Sequence, residues 1–99
     1  KNEVSATLMA ASTIVTDSTD QCVKIGDLHH AIVAGLATAD GVHAEIGQIL
    51  AGLRPGRTRE DEVLIFDSTG TALQDVAAAA LVYERAVAAG RGTSFAFAA

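Results

Sequence analysis

The fold of this chain follows from Glu62-Val-Leu-Ile-Phe-Asp-Ser-Thr-Gly-Thr71 and the alanine-rich run that comes after it, residues 72–90. The apolar, partly β-branched run 63–66 lies between charged residues and a hydroxyl- and glycine-rich segment, which predicts a short buried strand ending in a tight turn. The alanine-rich run predicts a helix of about 18 residues, roughly 27 Å long.

Two interpretations of the turn between this strand and this helix remain open. Free backbone N–H groups at the positive end of a helix, beside small hydroxyl residues, can bind a phosphate, a carboxylate or a cofactor amide. Alternatively, Ser68, Thr69 or Thr71 simply caps the helix. Capping is the commoner role of such residues, so the residue types alone favour it.

The composition indicates one domain with an incomplete core. Ninety-nine residues form at most one domain, in which a core of ordinary size is hard to bury. The hydrophobic fraction of 49% is high for so short a chain, yet only 4% is aromatic and tryptophan is absent. We therefore expect the flank of a larger α/β core rather than a self-sufficient fold.

Charge and cysteine content argue against several classes of function. The net charge is −5, and the seven basic residues are too scattered for a nucleic-acid surface. Cys22 is the only cysteine, so a reducing, cytoplasmic setting and a role as small apolar filler are expected. Gln74, Asp75 and Glu84 interrupt the longest apolar stretch, so no contact with a membrane is predicted.

Local signals predict the elements that come before the strand at residues 63–66, which we call the pivotal strand. Ser5 is predicted to cap a short helix that ends near Ala11. Residues 13–17 are β-branched and precede a turn signal, which predicts a buried parallel strand. Asp27 is placed to cap a helix over residues 28–34.

Four weaker signals complete the chain. Residues 21–25 predict about one helical turn, and the charged run 53–62 with the only proline predicts a solvated loop. Residues 93–99 alternate like a last strand. Residues 42–50 predict a helix with an inward stripe at helical spacing. The stripe consists of Val42, Ile46, Ile49 and Leu50.

This order of strands and helices predicts a parallel sheet with flanking helices. Only two internal strands are convincing, whereas a doubly wound sheet normally has five or six. The remaining strands are therefore expected in other sequence or in a partner. The chain begins at Lys1 without a methionine, which agrees with an excised piece or a missing front.

Several segments together resemble the C-terminal third of the ornithine cyclodeaminase and μ-crystallin family. The resemblance runs almost continuously from Lys1 to about Gly92. The segments that carry it are Phe66-Asp-Ser-Thr-Gly-Thr-Ala-Leu-Gln-Asp75, Tyr83-Glu-Arg-Ala86, Gly26-Asp-Leu-His-His-Ala-Ile32, His43-Ala-Glu-Ile-Gly47 with Gly52, and Pro55-Gly-Arg57 before Asp61-Glu62.

The resemblance implies a fold and an activity. It implies that residues 1–90 are the C-terminal half of a Rossmann-type NAD(P)-binding domain, and that residues 91–99 return to a substrate and dimerisation domain. Enzymes of the family act on amino or imino acids as cyclodeaminases, alanine dehydrogenases or cyclic imine reductases. The family also includes a lens crystallin that binds thyroid hormone.

The resemblance also assigns roles to residues. Ser68 falls on a serine that contacts the nicotinamide end of the cofactor, and Thr69 falls on a position that touches substrate. Lys1 falls on a lysine that contacts cofactor. The catalytic aspartate would lie a few residues before Lys1, so no catalytic residue is expected within the chain. The glycine-rich phosphate loop, the residue that selects NAD or NADP, and the groups that hold the substrate carboxylate are likewise not found here.

Other candidate sites are weaker. The histidines His29, His30 and His43 lack the usual spacing of metal ligands, so no metal site is predicted. Asp67 and Asp75 could form a carboxylate pair for acid–base work, but a strand end and a first helical turn explain them better.

A small arginine cluster, formed by Arg54, Arg57 and Arg59, could bind an anion. Neighbouring acidic residues nearly cancel its charge, so a solvated loop is the better interpretation.

Two functional hypotheses follow. In the first, the full-length protein is a homodimeric NAD- or NADP-dependent oxidoreductase or cyclodeaminase for small amino or imino acids, and the isolated fragment is inactive. In the second, it is a non-catalytic NAD(P)-dependent small-ligand binding protein like the crystallin.

Overall fold

The computed structural model describes residues 1–98 and has an α/β architecture. In chain order the elements are α1 (Ala6–Ala11), β1 (Thr13–Thr16), α2 (Thr19–Ile25), α3 (Asp27–Val33), a 3₁₀ turn (Ala39–Gly41), β2 (Ala44–Glu45), α4 (Ile46–Leu50), β3 (Leu64–Asp67) and α5 (Ala72–Ala88).

The three strands form one parallel sheet in the order β2-β1-β3. Thr16 at the end of β1 pairs with Asp67 at the end of β3. The carboxyl ends of these two strands therefore lie side by side at one edge of the sheet. The predicted parallel α/β fold with flanking helices and a long C-terminal helix is confirmed.

A small core covers one face of the sheet. Ile14 of β1 packs there against Met9, Cys22, Leu28 and Ala31, which come from α1, α2 and α3. Met9, Cys22, Leu28 and Ala31 are fully buried. Burial of these apolar side chains is the main source of stability for this half of the molecule.

Serine and threonine side chains begin three of the helices. Ser5 Oγ accepts a hydrogen bond from Leu8 N at 3.2 Å, as predicted, and Thr71 Oγ1 accepts one from Gln74 N at 3.4 Å. Thr71 is therefore the cap of α5. Ser18 caps α2 in the same way and lengthens it at its N-terminal end relative to the single turn predicted.

The predicted capping role of Asp27 is wrong. Gly26 occupies the cap position of α3, and Asp27 is the first helical residue. Its buried carboxylate accepts hydrogen bonds from Glu3 N at 2.6 Å and Val4 N at 3.0 Å instead. The Asp27 side chain therefore makes a tertiary contact with the start of the chain instead of the predicted capping contact with its own helix.

The predicted helix over residues 42–50 is also wrong in its first half. His43 N donates to Ile14 O at 2.8 Å, and Ala44 pairs with Val15, so this segment is a strand. Only Ile46–Leu50 is helical, and Leu50 is 81% exposed rather than inward. Hydrogen bonding to β1 outweighs the helical spacing of the apolar residues.

The predicted last strand does not form within the described residues. Residues 93–98 have no strand partner, and Phe95 and Phe97 are 74% and 96% exposed. Ala99, the last residue of that prediction, lies outside the described residues. Alternation alone does not make a strand, because an edge to pair with is also required.

The helix α5 has no buried residue, and all of its residues except the partly buried Ala86 are exposed. Its apolar side chains therefore face outward together with its charged ones. In the part of the chain that the structure describes, no helix combines the length and the apolar character needed to cross a bilayer.

The charged loop over residues 53–62 is ordered by its own arginines. Arg54 donates to His43 O at 2.7 and 3.2 Å, and the guanidinium of Arg57 donates to Glu62 O. These two arginines are thus engaged with backbone carbonyls. They do not form an anion-binding cluster.

Candidate functional site

The candidate site lies where β1 and β3 end. Parallel strands commonly bind ligands beyond their carboxyl ends, where the loops that follow them meet. Here Asp17 follows β1, and the turn Ser68-Thr69-Gly70 follows β3 before α5 begins at Ala72. The tertiary structure therefore places these polar residues together, although about fifty positions separate them in the chain.

The carboxylate of Asp17 holds this turn. Its Oδ2 accepts hydrogen bonds from Thr69 N at 2.9 Å and Gly70 N at 2.8 Å. Its Oδ1 accepts from Ser18 N at 2.8 Å. The turn after β3 is thus anchored to the end of β1 through a single side chain.

These contacts govern the ionisation of Asp17. Burial alone would raise the pKa of its carboxyl, but the hydrogen bonds from Ser18, Cys22, Gly70 and Thr69 favour the charged form and lower the pKa to about 2. Asp17 is therefore ionised at neutral pH and can act only as an acceptor.

The hydroxyl groups predicted from the resemblance both face Asp17. Thr69 Oγ1 lies 3.2 Å from each carboxylate oxygen, and Ser68 Oγ lies 3.4 Å from Oδ2. Both residues are only partly buried. Neither caps α5, because Thr71 does, so their hydroxyls remain at the edge of the sheet.

Lys1 lies on the other side of the same turn. Its ammonium Nζ is 2.9 Å from Asp67 Oδ1, 3.0 Å from Ser68 O and 3.5 Å from Asp27 Oδ2. Desolvation lowers the pKa of Lys1, but Asp67 and Asp27 more than offset it and leave the pKa raised. In this arrangement Lys1 fixes the backbone of the turn.

Asp67 connects Lys1 to the core. Its Oδ2 accepts a hydrogen bond from Leu28 N at 2.9 Å at the start of α3. Gly26 leaves the space that this contact needs, since a Cβ at that position would overlap Asp67 Oδ2. Asp67 thus ends a strand, as predicted, and also joins that strand to a helix.

Sequence reasoning missed the role of Asp17 and the contact of Cys22 with it. The sequence pattern marks Asp17 only as part of a turn signal. The Cys22 thiol lies 3.3 Å from Asp17 Oδ1 and 3.1 Å from Asp67 O. Burial and the nearby Asp17 raise the pKa of this thiol to about 12. A carboxylate directly after a predicted parallel strand was the available signal, because such positions converge at one edge.

The histidines are occupied by backbone contacts. His29 Nδ1 lies 2.9 Å from Val23 O, and His43 Nε2 lies 2.7 Å from Pro55 O. Within residues 1–98, no group of three or more His, Cys, Asp or Glu side chains is arranged to hold a metal ion.

The turn borders open space. Two partly buried hydroxyls lie beside Gly70, where a Cβ would meet no other atom within 4 Å. Lys1 beside the turn is already paired with Asp67 and Asp27.

Comparison with known proteins shows the family of the chain. The model of the ornithine cyclodeaminase/mu-crystallin family matches residues 1–90. The chain belongs to this family. A putative dehydrogenase of Rhizobium meliloti is 50% identical over 95 residues, which are 96% of this chain and 29% of the relative.

Solved structures of similar fold include a dehydrogenase and a reductase. An archaeal alanine dehydrogenase dimer with bound NAD has a TM-score of 0.81 and 39% identity over 98% of this chain and 30% of that one. The Thermococcus litoralis Δ1-pyrroline-2-carboxylate reductase, in complex with NADH and L-proline, has a TM-score of 0.83 and 32% identity over 95% of this chain and 29% of that one. The chain thus spans about three-tenths of the length of these relatives.

Proposed function

We propose that this chain forms the nicotinamide-proximal part of an NAD- or NADP-dependent oxidoreductase or cyclodeaminase that acts on small amino or imino acids. The observation that carries the proposal is the turn at residues 68–70, held by Asp17 at the carboxyl edge of a parallel sheet. The cofactors and substrates of the related alanine dehydrogenase and pyrroline-2-carboxylate reductase support it.

Each residue of the turn has a distinct role in this proposal. Ser68 would line the pocket of the nicotinamide ring, and Thr69 would contact the substrate. Lys1 would hold the carbonyl of Ser68 through its 3.0 Å contact, and so would act on cofactor binding through the turn. No residue of this chain is assigned to proton transfer.

The chemistry would be shared between cofactor and protein. When bound, the nicotinamide supplies or accepts the hydride that is exchanged with the α-carbon of the amino or imino acid. The chain's own contribution is positioning, because a turn fixed at both sides holds its hydroxyls in one orientation and lowers the entropic cost of reaching the reactive geometry.

Turnover of candidate substrates tests the proposal. The nicotinamide absorbance of the full-length protein would be followed with pyrroline-2-carboxylate, piperideine-2-carboxylate, pyruvate plus ammonia, and ornithine. Turnover of at least one is expected. Cofactor binding without turnover of any of these substrates would instead favour a non-catalytic, μ-crystallin-like binding protein. Absence of both cofactor binding and turnover would end the enzymatic interpretation.

We further propose the organisation of the whole protein. Residues 1–90 would complete a Rossmann-type domain, and residues 91–99 would return to a substrate and dimerisation domain. A homodimer is proposed because a related alanine dehydrogenase is a dimer, and its test is mass measurement in solution by light scattering. A cytoplasmic location is proposed from the free, buried thiol of Cys22, and cell fractionation tests it.

A further inference from the structure

All of the donors around Asp17 are uncharged. They comprise backbone N–H groups, hydroxyls, a thiol and an amide, from Ser18, Cys22, Ser68, Thr69, Gly70 and Gln74. Within the described residues, Asp17 has no ion pair with a lysine, arginine or histidine. An ionised carboxylate that is satisfied only by neutral donors orients those donors strongly, because charge-assisted hydrogen bonds are about twice as strong as neutral ones.

This environment fixes the direction of the hydroxyl protons. A threonine hydroxyl has one proton to donate and two lone pairs that accept. Thr69 Oγ1, at 3.2 Å from both carboxylate oxygens, directs its proton towards Asp17. Ser68 Oγ directs its proton the same way over a longer distance of 3.4 Å. The lone pairs of both oxygens are then what remains for a ligand.

We propose that Asp17 is a positioning residue that makes the Thr69 and Ser68 hydroxyls hydrogen-bond acceptors, so that this edge selects a ligand group bearing N–H. The inference rests on the proposed function. The N–H could belong to the carboxamide of the nicotinamide ring, which is a neutral donor, or to the amine or iminium of the substrate, whose protonated form is a charged donor. Because Asp17 is ionised at neutral pH, this polarity persists throughout the physiological range of pH.

Paired ligands in which an N–H-bearing group is replaced by a group that only accepts hydrogen bonds test the inference in the full-length protein. For the cofactor, the pair is NAD⁺ and nicotinic acid adenine dinucleotide, in which a carboxylate replaces the carboxamide. For the substrate, measured with NADH bound, the pair is L-proline and tetrahydrofuran-2-carboxylate, in which oxygen replaces the ring N–H. ADP-ribose, which has no nicotinamide, reports on the remainder of the dinucleotide site. All affinities would be measured by calorimetry.

The decisive variant is Asp17→Asn. Its amide can donate to Thr69 Oγ1, which frees the hydroxyl proton to point towards the ligand. We expect the preference for the N–H-bearing member of at least one pair to fall about three- to tenfold, the range of one hydrogen bond. The affinity for ADP-ribose should remain within about twofold, which a general loss of structure would not allow. The pair that responds identifies whether cofactor or substrate meets the hydroxyls.

Two further variants accompany Asp17→Asn: Asp20→Asn is the matched control, and Thr69→Val keeps the inference testable if Asp17→Asn folds poorly. Asp20→Asn makes the same chemical change at an exposed position in the first turn of α2, and it should leave both preferences unchanged. Thr69→Val removes the hydroxyl while leaving the backbone contacts with Asp17, and it should lower the same preference.

The outcomes separate this inference from the proposed function. If wild-type protein binds cofactor but Thr69→Val, which changes no charge, alters neither preference, the Thr69 hydroxyl does not accept from the ligand and the inference is overturned alone, whatever Asp17→Asn does. If wild-type protein binds none of NAD⁺, NADH, NADP⁺ and NADPH, the proposed function fails and this inference fails with it.

Discussion

At the scale of single residues, Gly26 is required by the space beside Asp67. A methyl group at this position would overlap Asp67 Oδ2 and would lie 2.9 Å from Cys22 Cα, which belongs to the backbone and cannot easily move aside. We expect Gly26→Ala to destabilise the protein by about 1–3 kcal/mol, the usual cost of overpacking. Urea unfolding measures this change.

A second glycine provides the matched control. Gly47 lies in α4, and a Cβ built there meets nothing within 4 Å. Gly47→Ala should leave stability unchanged or raise it by up to about 1 kcal/mol through helix propensity. Equal effects of the two substitutions would contradict the role assigned to Gly26.

The stability contributed by Asp17 should depend on pH. Its pKa falls from the ordinary value of 3.8 to about 2 in the folded protein. A carboxyl group whose pKa is lower in the folded than in the unfolded protein makes its full contribution to stability when the pH is above its unfolded-state pKa. This contribution is lost as pH falls from about 4 through about 2. Full conversion at about 1.4 kcal/mol per pKa unit would give roughly 2–3 kcal/mol, and solvent screening of this partly exposed carboxylate reduces the contribution to about 1–2 kcal/mol.

Urea unfolding at several pH values measures this dependence. The stability of the wild type relative to Asp17→Asn should decrease as pH falls over that interval. Asp20→Asn supplies the background from other carboxylates. A difference between wild type and Asp17→Asn that stays constant from neutral pH to about pH 2 would argue against the lowered pKa.

The thiol of Cys22 should be inert in the folded protein. It is fully buried, and its pKa is raised to about 12, so almost none of it is thiolate at mildly alkaline pH. We expect labelling by a water-soluble disulfide reagent to be at least about a hundredfold slower than in denaturant, because the thiol must first be exposed by opening. Rapid labelling of native protein would show that the contact with Asp17 is not maintained.

At the scale of elements, the start of α5 depends on its cap. With no buried residue, α5 gains little from packing, and Thr71 Oγ1 satisfies the N–H of Gln74. Thr71→Ala should cost about 1 kcal/mol and speed hydrogen exchange in the first turn of α5. Thr71→Ser keeps the oxygen and should be close to wild type. Faster exchange in β1 instead would show that the effect is not local.

The elements also differ in how far local sequence predicts them. The strand at 64–67 and the helix at 72–88 are predicted almost to their ends, because a β-branched run, a hydroxyl cap and a long alanine-rich stretch are all local signals. Ala44–Glu45 is mistaken for helix. Its strand conformation depends on pairing with Val15 and on the Glu45 carboxylate, which accepts from Thr19 N at 2.7 Å.

At the scale of the whole molecule, the chain is extended. Its radius of gyration is 18.1 Å, and its extents are 58 × 30 × 20 Å. A compact domain of this length would have a radius near about 13 Å, so a large apolar surface is left uncovered. The uncovered surface includes Leu73, Val76, Leu81, Val82, Tyr83 and Val87 on α5.

This exposure predicts the behaviour of the 99 residues on their own. Three strands offer only part of a dinucleotide-binding sheet, and the exposed apolar residues of α5 favour association. We expect the isolated chain to self-associate in light scattering and to show neither NADH binding nor turnover. The full-length protein should bind NADH and turn over substrate. Turnover by the isolated chain would contradict this prediction and the proposed division of the site.

The sequence by itself determined the parallel α/β class, the pivotal strand, the capped long helix and the family, because these depend on local periodicity, turn chemistry and extended motifs. It also pointed to Ser68, Thr69 and Lys1, whose proposed roles remain predictions. Only the tertiary structure decided that Asp17 holds the turn and that Lys1 is bound by Asp67 and Ser68. The reason is physical: these hydrogen bonds join residues about fifty or more positions apart, and they exist only after parallel strands have brought their carboxyl ends to one edge.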